Sequence, residues 1–205
     1  MPTVPSIKGS VFALVVEDLQ RLVESKKISR DELDHRLEPD DLEFLDRPVW
    51  PTEWCDIRAY ARFMELLVEI EGGGSHEYLR RSGAARAARL LQAGLYSQFE
   101  YLAHTQLSKA MDADQRFQAF GRDLKRLTTL SASIYNFSRW EPKPAPESKD
   151  RYIIEITDAS AFPEVFCWST EGFINWMAVQ HGTPDLWRWE RPHPELIVFQ
   201  MTRSL

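Results

Sequence analysis

Four side chains that could hold a metal fall close together early in the chain: Asp31, Glu32, Asp34 and His35. Asp31 and His35 stand four residues apart and would share one face of a helix, as a metal-binding pair does. No second ligand pair follows nearby, and a short, charged, exposed helix gives the same letters without a metal. No metal site is expected. Ser75-His76-Glu77 has the letters of a hydrolytic triad but not its logic. A triad is assembled in space from separate elements, and adjacent residues on a helix point apart. Ser75 reads better as a helix N-cap. Gly72-Gly73-Gly74 lacks the following Lys-Ser/Thr of a phosphate-cradling loop, and no nucleophile elbow or His-Glu-x-x-His run occurs. No catalytic residue is expected, and the chain reads as a non-enzyme.

Two other groups are compatible with binding. Arg80, Arg81, Arg86 and Arg89 concentrate positive charge and could hold an anion or an acidic partner, although a solvated helix face lined by arginines is the commoner outcome. His104, near Tyr101 and Leu107 on an apolar helix, is ordinarily a satisfied core or surface group. An axial haem ligand is the sharper alternative.

The elements that would position these residues are mostly helical. Apolar residues at helical spacing predict helices over about 8–25, 56–71 and 112–134, with a further run through Tyr96, Phe99 and Leu102 to Leu107. Ser29 followed by Glu32 predicts a capped helix from Arg30 to about Leu37. Pro39 suits the first turn of another short helix. Gly72 to Gly74 stops one helix and Ser75 starts the next, in which Gly83, Ala84, Ala85, Ala87 and Ala88 would let another backbone come close. The bend from Pro48 through Pro51 to Trp54 reads as extended.

After residue 135 the pattern changes. Residues 136–140 look extended, 141–150 read as a solvated proline-rich loop, and 151–157 form a strand by β-branched enrichment. A helix from Phe162 to His181 follows, then strands at 185–190 and 196–202 joined through Arg191-Pro192-His193-Pro194. The expected fold is therefore α+β over one domain, 1–205. A helical part, 1–135, leans on a small antiparallel sheet of β-β-α-β-β order, 136–205.

Bulk composition narrows the function. The 205 residues carry a formal charge of −6, which disfavours nucleic acid and anionic membranes. Cys55 and Cys167 stand far apart, without the spacing of a disulfide framework or a zinc site. The first residues lack a signal peptide's basic and apolar regions, and Val11 to Val16 is too short to span a bilayer. A cytoplasmic location without membrane insertion is expected. Seven tryptophans and eleven phenylalanines point to a dense core or an interface.

Ile7-Lys8-Gly9-Ser10 entering a helix, the bend from Pro48 to Trp54, and Phe166-Cys167-Trp168-Ser169-Thr170-Glu171-Gly172-Phe173 together resemble an uncharacterised domain expanded as many paralogues in myxobacteria. More distantly, the chain is similar to the superfamily of vinyl-reductase-type domains, haem-nitric-oxide domains and certain Golgi-transport subunits. The resemblance covers most of the chain and implies a helical half, a small antiparallel sheet and an apolar crevice between them. Two departures stand out. Residues 187–201 lack the cysteines that vinyl-reductase-type domains tend to carry. The Tyr-x-Ser-x-Arg of haem-nitric-oxide domains is met here by Tyr135-Asn136-Phe137-Ser138-Arg139, one residue out of register.

These readings converge on a non-catalytic regulatory or ligand-sensing module acting through a protein partner. Phe166, Trp176 and Trp187 are expected near an apolar small-ligand pocket. Gly83, Ala87, Leu90 and Leu91 are expected on a narrow face suited to a homodimer. No cofactor is expected; a haem-based gas sensor using His104 is the alternative.

Overall fold

Helices come first and most of the strands last. The computed structural model describes residues 4–92, 113–180 and 182–204. Strand β1 (Ser6–Lys8) leads directly into α1 (Gly9–Glu24), whose Phe12, Val15, Val16, Leu19 and Leu22 are buried along one face. Helix α2 (Arg30–Arg36) opens where the Ser29 side chain accepts from the Glu32 N–H at 3.1 Å. Helix α3 (Pro39–Asp46) has proline in its first turn, where no hydrogen bond is lost. Strand β2 (Trp54–Asp56) pairs antiparallel with β1, Ile7 opposite Cys55. This three-residue sheet was not expected from the sequence, because strands so short carry no periodicity.

Helix α4 (Ile57–Gly72) buries Tyr60, Phe63, Met64 and Leu67 and stops at Gly73, whose φ of 57° is the left-handed conformation glycine adopts without strain. Helix α5 (His76–Gln92) follows, and the next described helix is α6 (Ala113–Ile134). The helical run expected at Tyr96 to Leu107, with His104, lies outside the described residues.

A four-stranded antiparallel sheet closes the chain in the order β3-β4-β6-β5. Its members are β3 (Arg139–Pro144), β4 (Tyr152–Thr157), β5 (Trp187–His193) and β6 (Leu196–Met201), with α7 (Glu164–Gln180) between β4 and β5. The fold is α+β, and the β-β-α-β-β order matches the expectation. One boundary differs: Pro142 and Pro144 belong to β3 rather than to a loop, paired with Ile154 and Tyr152. Proline is tolerated there because β3 is an edge strand, where a missing N–H faces no partner.

Helix α7 is buried on more than one side, with Phe166, Ser169, Glu171, Ile174 and Ala178 all enclosed. It packs on the sheet and also on α5. Gly83 of α5 lies against the Ser169 carbonyl of α7, and Gly172 of α7 lies against the Arg80 backbone. A Cβ added at either glycine would stand 1.9 Å from a carbonyl oxygen, so both crossings require glycine. Among the described residues, no helix is long and apolar enough to cross a membrane.

Candidate functional site

The crevice implied by the helical and β parts exists where α1, α4, α5, α6 and α7 meet. Its cavity volume is about 60 Å³. Val11 and Leu14 line it from α1, Tyr60 from α4, Gly83 and Arg86 from α5, and Leu127, Ser131 and Ile134 from α6. Tyr135 and Trp140 close one end, and Phe166, Ser169, Thr170, Phe173 and Ile174 of α7 form the remaining wall.

Aromatic contacts fix that end. Tyr135 stacks on Trp140 with ring centroids 5.6 Å apart and meets Phe166 edge-on at 5.3 Å. Phe166 in turn meets Tyr60 edge-on at 5.3 Å. Tyr135 sits where β1 and the C-terminal part join. Ile7 forms a bridge with Tyr135, and the Ser6 N–H donates to the Asn136 side chain at 2.6 Å.

The wall is mostly apolar, with the hydroxyls of Tyr60, Ser131, Ser169 and Thr170 among its lining residues and one charged group, Arg86. That side chain is 5 % exposed, and its Nη2 donates to Asp18 Oδ2 at 3.2 Å. Nη1 donates to the Tyr60 hydroxyl at 3.3 Å and contacts Met64 Sδ at 3.1 Å. Its Nε is buried and has no hydrogen-bond partner among the described residues. Burial pushes the Tyr60 hydroxyl above its ordinary pKa, and the Arg86 charge pulls the other way. The phenol therefore stays protonated.

The expected site residues are distributed unevenly around this crevice. Phe166 lines it. Trp176 is half-buried and packs against the core without lining it. Trp187 is fully buried elsewhere, stacked on Phe120 at 6.2 Å, with its backbone N–H and C=O both bonded to the Asn175 side chain. The face expected to dimerise is occupied from within. Gly83 is covered by α7 and Ala87 is 1 % exposed, so the small residues admit a helix of the same chain. Leu90 and Leu91 lie in α5, and their side chains are outside the described residues.

The four arginines do not form one patch. Arg81 is exposed. Arg80 donates to buried Glu171 at 2.7 Å and lies 4.5 Å over the Trp168 ring. Arg89 reaches Asp18 at 3.8 Å, and Arg86 is the buried group described above. The expectation of a solvated arginine face is thus corrected for Arg86, because helical spacing turns it inward beside Gly83.

The remaining motifs are accounted for locally. His35 Nδ1 pairs with the Asp31 backbone carbonyl of its own helix at 2.5 Å. Ser75 accepts from the Glu77 N–H at 3.3 Å, and His76 stacks on Trp168 at 4.8 Å, so these residues form no triad. No cluster of three metal-ligating side chains occurs among the described residues. Arg86 was visible in the sequence only as one arginine among four. Its inward position is seen only in its contacts with Asp18 of α1 and with Tyr60 and Met64 of α4, elements distant in sequence.

No protein-family model matches the chain, and no curated protein matches it in sequence. Solved structures match its fold. One, described as probing haem distortion in the H-NOX family, has a TM-score of 0.57 at 14% identity and covers 97% of each chain. A point mutant of the T. tengcongensis H-NOX domain has a TM-score of 0.52 at 13% identity, covering 97% of this chain and 100% of its own. A Cs H-NOX mutant carrying an unnatural cyano-phenylalanine has a TM-score of 0.53 at 16% identity, covering 97% of this chain and 98% of its own. The similarity to the haem-nitric-oxide superfamily therefore holds at the level of fold.

That likeness overturns the expectation that the chain takes no cofactor, since the solved structures that share its fold concern haem. The fit of a porphyrin must then be tested on this chain's residues. The crevice, about 60 Å³, is well below the roughly 300 Å³ at which ordinary ligand pockets begin. Arg139 is 84 % exposed and pairs with Asp158 at 2.9 Å, while Ser138 accepts from the Trp140 indole N–H at 3.0 Å. Of Tyr135, Ser138 and Arg139, only Tyr135 faces the crevice. Arg139 keeps the motif's four-residue spacing from Tyr135 yet stands in solvent, and it is the serine that has slipped by one. No described histidine lines the crevice, and His104 is outside the described residues. The described residues do not fit a porphyrin in this closed arrangement.

Proposed function

We propose that the chain is a non-catalytic, ligand-sensing module whose ligand enters the crevice between α5, α6 and α7. The observation that carries this reading is a mostly apolar cavity holding one incompletely paired buried cation, in a fold shared with small-ligand domains. Such a site is mostly apolar and fixed by a few polar groups, as binding pockets are. Its walls come from five helices, so an occupant would be felt by most of the helical part at once. In the closed state the volume suits a ligand of a few non-hydrogen atoms; anything larger requires the helices to part. Native mass spectrometry of the intact protein with acetate, isopropanol or imidazole tests this. We expect at least one probe to be retained at one copy per chain, and retention of none would end the reading.

A second reading, haem as the ligand, is favoured by the fold likeness alone. It requires the crevice to open and an axial ligand to come from outside the described residues. Addition of haemin should then give a stoichiometric Soret band that His104→Ala shifts or abolishes. A protein that stays colourless excludes this reading.

Association with another protein, or with a second copy of this chain, belongs to the same proposal. Trp50, 67 % exposed at the bend before β2, supports it as a large apolar ring left in water. Light scattering across a tenfold concentration range would show a rising mass, and a constant monomer mass would contradict self-association.

A further inference from the structure

We infer that the crevice selects a small carboxylate, held by Arg86 and Tyr60; this rests on the ligand-sensing reading above and names the chemistry of its ligand. The argument starts from an imbalance of hydrogen bonds. A guanidinium has five N–H donors in a fixed fork. At Arg86 the Nη groups are engaged by Asp18, Tyr60 and Met64, while Nε is buried without a partner. A buried donor left unmade is costly, more so on a charged group, so an acceptor at this position is worth its full desolvation cost. The Tyr60 hydroxyl accepts from Arg86 at 3.3 Å, and its own hydrogen goes to no acceptor among the described residues. Both residues line the cavity. Two such donors, on neighbouring residues of one chamber's lining, match in number the two oxygens of a carboxylate.

Charge points the same way. Asp18 is the only carboxylate bonded to Arg86 among the described residues, and it is shared. Arg21 reaches it at 3.1 Å and Arg89 at 3.8 Å. One negative charge therefore faces three positive ones, and the most buried of the three is the one in the crevice. An anion entering there would neutralise the surplus in a low-dielectric setting, where a charge-assisted hydrogen bond is strongest.

Size and wall chemistry limit the ligand further. About 60 Å³ is a small part of the roughly 300 Å³ at which ordinary ligand pockets begin. Much of the rest of the wall, including Leu127, Ile134 and Phe166, offers an anion's tail apolar contact, with Ser131, Ser169 and Thr170 beside it. The ligand is thus a carboxylate with a one- or two-carbon apolar end. Water filling the chamber is the competing occupant.

Side-chain Nε–H correlation spectra of the intact, nitrogen-labelled protein distinguish these cases. Arg86→Lys removes and so assigns the Arg86 signal while keeping the charge. Sodium acetate, titrated at constant ionic strength, should move that signal along a saturable curve. Acetamide, the neutral counterpart of similar shape, should bind about tenfold more weakly or not at all. Ser131→Leu, which fills the chamber from α6 and leaves Arg86 and its partners unsubstituted, should abolish the response even if Arg86→Lys folds poorly. An equal response to acetamide would overturn the carboxylate assignment while leaving the crevice a binding site. No response to either probe would leave water as the occupant and overturn the inference; retention of isopropanol or imidazole would then still support the ligand-sensing reading.

Discussion

At the scale of single residues, two of the buried charges show what the interior tolerates. Arg86 is one and Asp123 of α6 is the other, 3 % exposed and bonded by Arg126 at 3.0 Å. Burial pushes the Asp123 carboxyl up to about 6, with Arg126 and Arg122 pulling it back. A carboxyl whose folded pKa lies above its unfolded value binds its proton more tightly in the folded chain. Stability at this site is therefore greatest when Asp123 is protonated, and falls as pH rises from about 4 to about 6. We expect Asp123→Asn to flatten that part of the stability curve and to gain on the order of 2 kcal/mol at neutral pH by urea denaturation. An unchanged pH profile would contradict the assignment. Neither buried charge was marked as such in the sequence. Arg86 stands among three other arginines and Asp123 beside Arg122, and the partners that enclose Arg86 lie on α1 and α4, far away in sequence.

At the scale of elements, the crossing of α5 and α7 sets the geometry of the crevice. The run from Gly83 to Ala88 showed that some backbone comes close, but not which one. A second copy of the helix and a distant helix of the same chain satisfy the same pattern. The matching glycine, Gly172, sat in a segment read mainly for its aromatics. We expect Gly172→Ala, whose methyl group would meet the Arg80 backbone at 1.9 Å, to cost about 3 kcal/mol through overpacking. Ala85→Gly on the exposed face of α5 should cost only about 1 kcal/mol through backbone entropy. Equal costs in urea denaturation would mean that the two helices are not in contact. Most helices and the β-β-α-β-β order were legible, because periodicity and capping are local. The β1–β2 pair and the prolines of β3 were not, since both depend on where the chain lies in the sheet.

At the scale of the whole molecule, fold and function separate. The similarity to H-NOX domains was legible as an order of elements, and the structure bears it out with 14% identity over 97% of the chain. The resemblance implied a crevice, and one is present; its lining was only partly foreseen, with Phe166 on the wall and Trp176 and Trp187 away from it. Aromatic side chains pack as well in a core as around a ligand, so their number alone could not distinguish the two. The central claim is that the crevice, and no other part of the surface, takes the ligand. The direct test is the thermal midpoint of the wild-type chain and of Ser131→Leu, measured side by side with saturating acetate, isopropanol, imidazole or haemin. Binding to the folded state alone raises stability by mass action. The account predicts a rise of about 3 °C or more for wild type with at least one probe, and none for Ser131→Leu. No rise in wild type, or an equal rise in both, would contradict it.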